Sequence, residues 1–273
     1  MDWVYLVQIV MGLGIAAIIA GFMAGLLGIG GGLIVVPTLL IFFDMSGVDP
    51  SLSMHMAVGS SLGLIVFTSF ASARSHYKYG NVKNQVLRSW GIGIALGAVI
   101  SGLTIKYYTP QTLALVFAVV GYFAAYNFLR KNTKILAKEP PKRLWTGGPI
   151  GFFIAYIAAM MGIGGGTLAV PAMSACALPI HRAVGTSAAF NFMIALCGSV
   201  GFIIGGLGID GRPDFSLGYV NLLVVLIMFP LTMSMAPLGA KVANKLKAQH
   251  LRIVFALFLI FVASRMLYKA IVS

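Results

Sequence analysis

Long apolar runs alternate with short polar segments along almost the whole chain. Two of these runs, Leu33–Phe43 and Leu168–Leu178, are only eleven residues long, and at about 1.5 Å per residue such a helix cannot cross the hydrocarbon. The others approach or exceed the roughly 20 residues that a spanning helix needs. These eight predicted spans are Val4–Leu26, Met54–Ser75, Trp90–Tyr107, Leu113–Leu129, Leu144–Met161, Ala183–Gly205, Leu217–Ala240 and Ile253–Ile271. The pattern predicts an all-α polytopic membrane protein with two half-helices or re-entrant pieces.

Each short run begins directly after the same glycine cluster. GIGGG occupies residues 28–32 and again 162–166, and a proline follows four residues later, as Pro37 and Pro171. Glycine weakens a helix by about 1 kcal/mol relative to alanine. We therefore expect the backbone to leave the helix at both clusters, where it can approach a ligand closely.

The glycine clusters belong to an internal repeat. A second motif, H-x-A-V-G-[ST]-S, occurs at His55–Ser61 and His181–Ser187, and a third match pairs 116–118 with 254–256. The offsets between copies are 134, 126 and 138 residues. The chain therefore divides into a first transmembrane repeat (1–131), a basic linker (132–143) and a second repeat (144–273).

Charge orients the two repeats. The chain has 59% hydrophobic and 9% charged residues and a formal net charge of +13. Its basic residues cluster in short loops, as topology determinants do, which argues against a nucleic-acid partner. With the linker in the cytoplasm, fifteen of the 19 basic residues lie inside and five of the six acidic residues outside. Corresponding loops then fall on opposite sides, so the halves are predicted to be inverted repeats, with the C-terminus outside. The first residues lack a basic n-region and cleavage site, and are expected to form a membrane segment.

Inverted repeats with matched broken helices are typical of secondary transporters, whose sites lie near the bilayer midplane. No acidic residue lies within a predicted span, which disfavours a cation site. Helix N-termini and glycine N–H groups favour a small anion instead. The predicted substrate-binding residues are Gly30, Gly31, Gly32, His55, Ser60, Ser61, Gly164, Gly165, Gly166, His181, Thr186, Ser187 and Asn191. For the two histidines and Asn191, capping or packing roles stay equally open.

Other chemistries find little support in the sequence. The two cysteines lack metal-ligand spacing, and the first glycine cluster lacks both the strand and the last glycine of a dinucleotide fingerprint. No Ser–His arrangement or HExxH motif occurs. We expect no enzyme activity, no catalytic residue, no metal and no cofactor. The expected partners are a small anionic substrate, the lipid bilayer and, if transport is proton-coupled, protons carried by His55 or His181.

The two G-x-G-G-G-x4-P motifs and the two H-x-A-V-G-[ST]-S motifs together resemble the TauE/SafE family of sulfite and organosulfur exporters. The resemblance covers essentially the whole chain. It implies a multi-pass permease of a bacterial-type inner membrane that exports sulfite, sulfoacetate or a similar small anion by alternating access. An anion channel, or an importer of another small carboxylate or oxyanion, is the alternative. One departure within the repeat is that Met56 stands where the second copy has Arg182, so the half-sites are not chemically equal.

Overall fold

The computed structural model describes residues 11–22, 31–129, 135–245 and 248–272, and in these ranges the chain is almost entirely helical. The described helices are α1 (Met11–Phe22), α2 (Gly32–Met45), α3 (Pro50–Lys78), α4 (Asn84–Thr104), α5 (Pro110–Leu129), α6 (Leu144–Met160), α7 (Gly166–Ala175), α8 (Ile180–Gly205), α9 (Leu222–Lys245) and α10 (Ala248–Val272). A 3₁₀ turn, Ile105–Tyr107, extends α4. The predicted helical fold class is confirmed.

Three of these helices are long and apolar enough to cross a membrane. They are α3, α4 together with its 3₁₀ extension, and α8. Shorter apolar helices are α1, α2, α6 and the first part of α9, Leu222–Met235. The composition and lengths identify a membrane protein, with most of the predicted spans present as helices whose ends differ by a few residues.

The two short helices begin at the glycine clusters, as predicted. Gly31, directly before α2, has φ of +75°, and Gly162, two residues past the end of α6, has φ of +66°. Side chains rarely adopt this left-handed conformation, so glycine allows the chain to turn there. Pro37 and Pro171 lie inside α2 and α7, in keeping with their positions within the two short runs.

The predicted span Leu217–Ala240 begins too early. Residues Ser216–Leu217 (β1) and Val220–Asn221 (β2) form a small antiparallel hairpin before α9 starts. The side chain of Asn221 accepts the N–H of Val224 at 3.0 Å and so caps α9. Hydropathy alone missed this turn because each strand has only two residues, one of them apolar, and an apolar helix follows directly.

Helices α3 and α8 cross at the centre in antiparallel directions. The Phe202 ring lies close to Gly59, Leu62 lies close to Gly198, and the rings of Phe70 and Phe192 are 5.5 Å apart. In these contacts the residue numbers increase along α3 while they decrease along α8, so the two helices are antiparallel. Small residues allow this approach, as is usual between membrane helices.

Helix α4 runs parallel to both α6 and α8, again through glycine contacts. A Cβ on Gly93 would lie 1.9 Å from Gly148 O, and one on Gly97 would lie 2.3 Å from Phe152 O. On the other side, a Cβ on Gly201 would lie 2.5 Å from Val99 O. Because α6 and α8 therefore share a direction, α7 carries the chain back between them.

Segments far apart in sequence gather at each end of the bundle. At one end, the N–H groups of Leu136 and Ala137 donate to Ala175 O, at 2.7 and 3.2 Å, so the linker lies against the end of α7. At the other end, His55 at the start of α3 contacts the segment after α4, and Leu52 lies near Gly211. The bundle therefore has two ends, one formed by the linker and the end of α7 and the other by the start of α3 and the segment after α4.

Candidate functional site

The second glycine cluster packs directly against the start of α2 and the middle of α3. A Cβ on Gly32 would lie 2.7 Å from Gly162 O, and one on Gly162 would lie 2.9 Å from Val58 Cα. Neither position accepts a side chain without backbone movement. The helix break of the second half therefore sits in the centre of the molecule, where the two halves meet.

Two hydroxyls on the central helices hold the starts of two other helices. Ser60 Oγ on α3 accepts the N–H of Asn221, the residue before α9, at 2.9 Å. Thr186 Oγ1 on α8 accepts the N–H of Lys83, the residue before α4, at 2.9 Å. Ser60 and Thr186 are equivalent in the repeated motif, and Asn221 follows Lys83 by the same 138 residues that separate the third matched pair. The two halves thus exchange equivalent hydrogen bonds.

The glycine that precedes each hydroxyl contacts the backbone of the opposite half in the same reciprocal way. A Cβ on Gly59 would lie 2.4 Å from Tyr219 O, and one on Gly185 would lie 2.7 Å from Asn81 O. Tyr219 again follows Asn81 by 138 residues. The glycine and hydroxyl of each motif therefore act together, the first admitting the neighbouring backbone and the second binding it.

The next serine of each motif behaves differently in the two halves. Ser61 Oγ donates to Gly162 O at 2.8 Å and ties α3 to the second glycine cluster. Ser187 is equally buried, but its Oγ has no hydrogen-bond partner among the described residues. The Ser61 hydroxyl therefore stabilises the packing of the two halves, whereas the Ser187 hydroxyl can bind another group.

Asn191 lies one turn beyond Ser187 on α8 and against the second glycine cluster. A Cβ on Gly164 would lie 2.9 Å from Asn191 Cγ and 3.2 Å from its Nδ2. The residue is only 7% exposed, and its Oδ1 has no partner in the part of the chain that the structure describes. Buried polar atoms are rarely left unpaired, so this amide is a candidate ligand contact.

The two predicted histidines lie in contrasting places. His55 is buried, with Nδ1 3.0 Å from Ser51 O and Nε2 3.0 Å from Tyr108 O, and its ring stacks on Tyr219. These contacts join the start of α3 to the segment after α4. His181 is exposed on the first turn of α8. The ring of His55 is thus taken up by structural contacts, while His181 faces the surface.

A basic pocket of about 230 Å³ lies where the linker meets α4 and the end of α7. Lys83, Lys138 and Lys142 line it, together with Glu139 and Cys176. Glu139 pairs with Lys142, whose hydrogen bond and charge hold the pKa of the carboxyl below its usual range. Burial raises the pKa of the Cys176 thiol, which keeps it protonated. With one acid among three lysines, the pocket attracts anions.

The structure distributes the residues predicted from the sequence along the two crossing helices and at the starts of the two short helices. Ser60, Ser61, Thr186, Ser187 and Asn191 are buried on the two crossing helices. Gly31 and Gly32, and Gly164, Gly165 and Gly166, stand at the starts of α2 and α7; Gly30 lies outside the described residues. Sequence reasoning missed the partners Lys83 and Asn221, although extending the offset of 138 to these loops would have aligned them.

Comparison with known proteins places this geometry in a family. The profile described as "Sulfite exporter TauE/SafE" matches residues 13–266. A probable membrane transporter protein of Haemophilus influenzae is 37% identical over 254 residues, covering 92% of this chain and 95% of the relative. The probable membrane transporter proteins YunE of Bacillus subtilis and MJ0441 of Methanocaldococcus jannaschii are 26% and 27% identical, over 98% and 89% of this chain and 99% and 89% of theirs. No solved structure matches.

The profile match covers nearly all the described helices, and both halves of the central site fall inside it. The relatives align over almost their full lengths and are named as transporters. We conclude that this chain is a membrane transporter protein and belongs to the sulfite exporter TauE/SafE family.

Proposed function

We propose that the protein is a secondary transporter that exports a small sulfur oxyanion, such as sulfite or sulfoacetate, by alternating access. The observation that carries this proposal is the central meeting of a glycine-initiated helix break with two buried hydroxyl-bearing helices. Of the side chains predicted to bind the substrate, Ser187 and Asn191 carry buried polar atoms without a partner among the described residues, and they are the best placed to contact it. Ser60, Ser61, Thr186 and His55 shape the site through their structural contacts. The substrate class follows the name of the family profile.

An anion suits the charge distribution around this centre. The described acidic residues, Asp44, Asp49, Glu139, Asp210 and Asp214, lie at helix ends or in connecting segments. Neutral hydroxyls, an amide and helix N-termini are left to bind the substrate. A membrane potential that is negative inside drives each negative charge outward by about 2.3 kcal/mol per 100 mV, which favours export.

Inverted repeats are supported by the reciprocal contacts between the halves. An in-plane twofold axis exchanges Ser60–Asn221 with Thr186–Lys83, and it requires the equivalent helices α3 and α8 to cross in antiparallel directions. Alternating access then follows from rocking one half against the other.

A re-entrant path for α7 is supported by the helix directions. Helix α7 has ten residues and returns towards the linker, where Ala175 O accepts two N–H groups. Its N-terminus then points into the membrane, where non-helical backbone is tolerated only if protein covers it or a cavity adjoins it.

Flux measurements in proteoliposomes test the proposal. We expect saturable uptake of ³⁵S-sulfite or labelled sulfoacetate that is accelerated by the same anion on the opposite side, as a carrier requires. A current that rises linearly with anion concentration, without such exchange, would indicate a channel. Imposing a pH gradient or a potential separately identifies the driving force.

Variants of the glycine clusters link the flux to the site. Gly31→Leu combined with Gly165→Leu is expected to abolish transport, because a side chain at each position occupies the start of a short helix. Gly12→Leu is the control, since a side chain there meets open space. Normal flux in a correctly folded double variant would contradict the proposed site.

A further inference from the structure

The two buried asparagines of the central region are used very differently. Asn221 is 4% exposed, and its Nδ2 donates to Asp214 O and Ser216 Oγ, both at 3.1 Å, while its Oδ1 accepts the N–H of Val224. Asn191 is 7% exposed, yet no hydrogen bond engages its Oδ1 within the described ranges. A buried amide oxygen without a partner keeps its desolvation penalty, which makes Asn191 Oδ1 a candidate contact for a ligand.

The amide of Asn191 lies over backbone that is also rich in free donors. A Cβ on Gly165 would lie 3.8 Å from Asn191 Oδ1, and one on Gly164 would lie within 3.2 Å of all three terminal atoms of the amide. Gly165 is the N-cap of α7, and the N–H groups of Gly164 and Gly165 donate to no backbone carbonyl among the described residues. The first N–H groups of a helix lack intrahelical acceptors. The Asn191 amide therefore lies directly against these backbone donors.

Ser187 adds a second unused polar group on the same face of α8. It lies four residues before Asn191, is 2% exposed and has an unpaired Oγ. Residues four apart on a helix are neighbours. We call Ser187, Asn191 and the backbone of Gly164–Gly165 the amide site.

Among its described residues, the first half of the molecule has no equivalent of the Ser187 and Asn191 side chains of the amide site. Ile65 corresponds to Asn191, and its Cδ1 lies beside Gly32. Ser61 corresponds to Ser187, and its hydroxyl donates to Gly162 O. At these two pairs of positions the unpaired side-chain groups therefore lie in the second half. A substrate held by them binds to the second half and contacts an apolar wall on the first.

The chemistry of the amide site restricts its ligand. The backbone N–H groups, Asn191 Nδ2 and a serine hydroxyl donate to anionic oxygens, whereas Asn191 Oδ1 only accepts. A fully deprotonated oxyanion without a hydroxyl leaves Oδ1 unpaired. From this arrangement we propose that the amide site selects a monovalent oxyanion that also carries an O–H or N–H donor, and that Asn191 determines this specificity. Hydrogen sulfite and hydroxylated sulfonates meet the requirement. The inference rests on the proposed transport function and adds the substrate's donor group to it.

Two sulfonates of equal charge and similar size test the inference. We expect purified wild-type protein to bind 2-hydroxyethanesulfonate at least about tenfold more tightly than ethanesulfonate, because only the first pairs with Oδ1. Titration calorimetry measures both dissociation constants. Asn191→Leu, which keeps the side-chain volume, is expected to remove the preference by weakening the hydroxylated ligand. Ser199→Ala is the matched control, since Ser199 is also buried on α8 with an unpaired hydroxyl but outside the amide site.

The outcomes separate this inference from the transport proposal. Equal affinity for the two sulfonates, or a preference that survives in Asn191→Leu, overturns the role of Asn191 and leaves an anion transporter standing. Equal affinities are the result expected if a bound water, and not the substrate, donates to Asn191 Oδ1. Absence of both binding and flux for every anion overturns the transport proposal and this inference together. If Asn191→Leu fails to fold, Asn191→Asp replaces it, since added negative charge beside the ligand is expected to weaken both sulfonates.

Discussion

The two central helices carry the same motif, yet they differ in what their polar groups do. Ser60 on α3 and Thr186 on α8 perform identical tasks, each accepting the N–H that precedes a helix of the other half. One residue later the equivalence ends, because Ser61 is bonded to Gly162 O and Ser187 is unpaired. The comparison shows that the contacts which hold the halves together are duplicated, whereas at the last position of the motif only the second half has an unpaired hydroxyl among the described residues.

The crowded turn at Gly162 is expected to give the largest effect on stability. In Gly162→Ala the new Cβ lies 2.8 Å from Val36 Cγ2 at a φ of +66°. The left-handed conformation costs about 1–2 kcal/mol and overpacking about 1–3 kcal/mol, so we expect a loss of about 2–5 kcal/mol. Gly47 has a similar φ of +75°, but a side chain there meets open space. Gly47→Ala should therefore lose only the conformational contribution of about 1–2 kcal/mol. Unfolding in detergent measures both, and equal losses would show that Gly162 is not tightly packed.

The paired serines provide the next largest contrast. Ser61→Ala leaves the buried Gly162 O without its donor and should cost about 1–3 kcal/mol. Ser187→Ala removes an unpaired hydroxyl, and we expect its free energy of unfolding to change by less than about 0.5 kcal/mol. Anion binding should respond in the opposite way, with Ser187→Ala the weaker binder. Similar destabilisation by both variants would contradict the asymmetry.

The reciprocal hydroxyls should give equal and smaller effects. Ser60→Ala and Thr186→Val each remove an acceptor from a helix start and should each cost about 1 kcal/mol. Because the two bonds lie in separate places, the double variant should show the sum of the single effects. Thr186→Ser keeps the hydroxyl and should behave like the wild type. A double variant no less stable than either single one would show that the two contacts do not act separately.

The Glu139–Lys142 pair at the linker should give the smallest effect. Its hydrogen bond and charge lower the pKa of Glu139, so its contribution to stability is present above the ordinary carboxyl range and is lost as the pH falls through the folded value. The pair is exposed, so the contribution is slight. We expect the small difference in unfolding midpoint between wild type and Glu139→Gln to shrink as the pH falls below the ordinary carboxyl range and to vanish below the lowered pKa of the folded state. A difference that grows on acidification would contradict this sign.

The sequence predicts the helical membrane architecture and the positions of the helix breaks because both depend on local composition. Apolar length identifies α3, α4 and α8, and GIGGG marks the starts of α2 and α7. It does not reveal which hydroxyl is bonded, since Ser61 and Ser187 stand in nearly identical motifs and differ only in their distant neighbours. The hairpin before α9 was missed for a related reason: Asn221 caps the helix from within an apolar segment, where hydropathy predicts a continuous span.

The reciprocal hydroxyl bonds also affect how the chain is made. Thr186 follows its partner Lys83 by 103 residues, and Asn221 follows Ser60 by 161. At about 5–20 residues per second, a ribosome emits Thr186 roughly 5–20 s after Lys83. During that interval the N–H of Lys83 lacks the hydroxyl that accepts it in the folded protein. The first half therefore cannot reach its final packing before the second half has been synthesised.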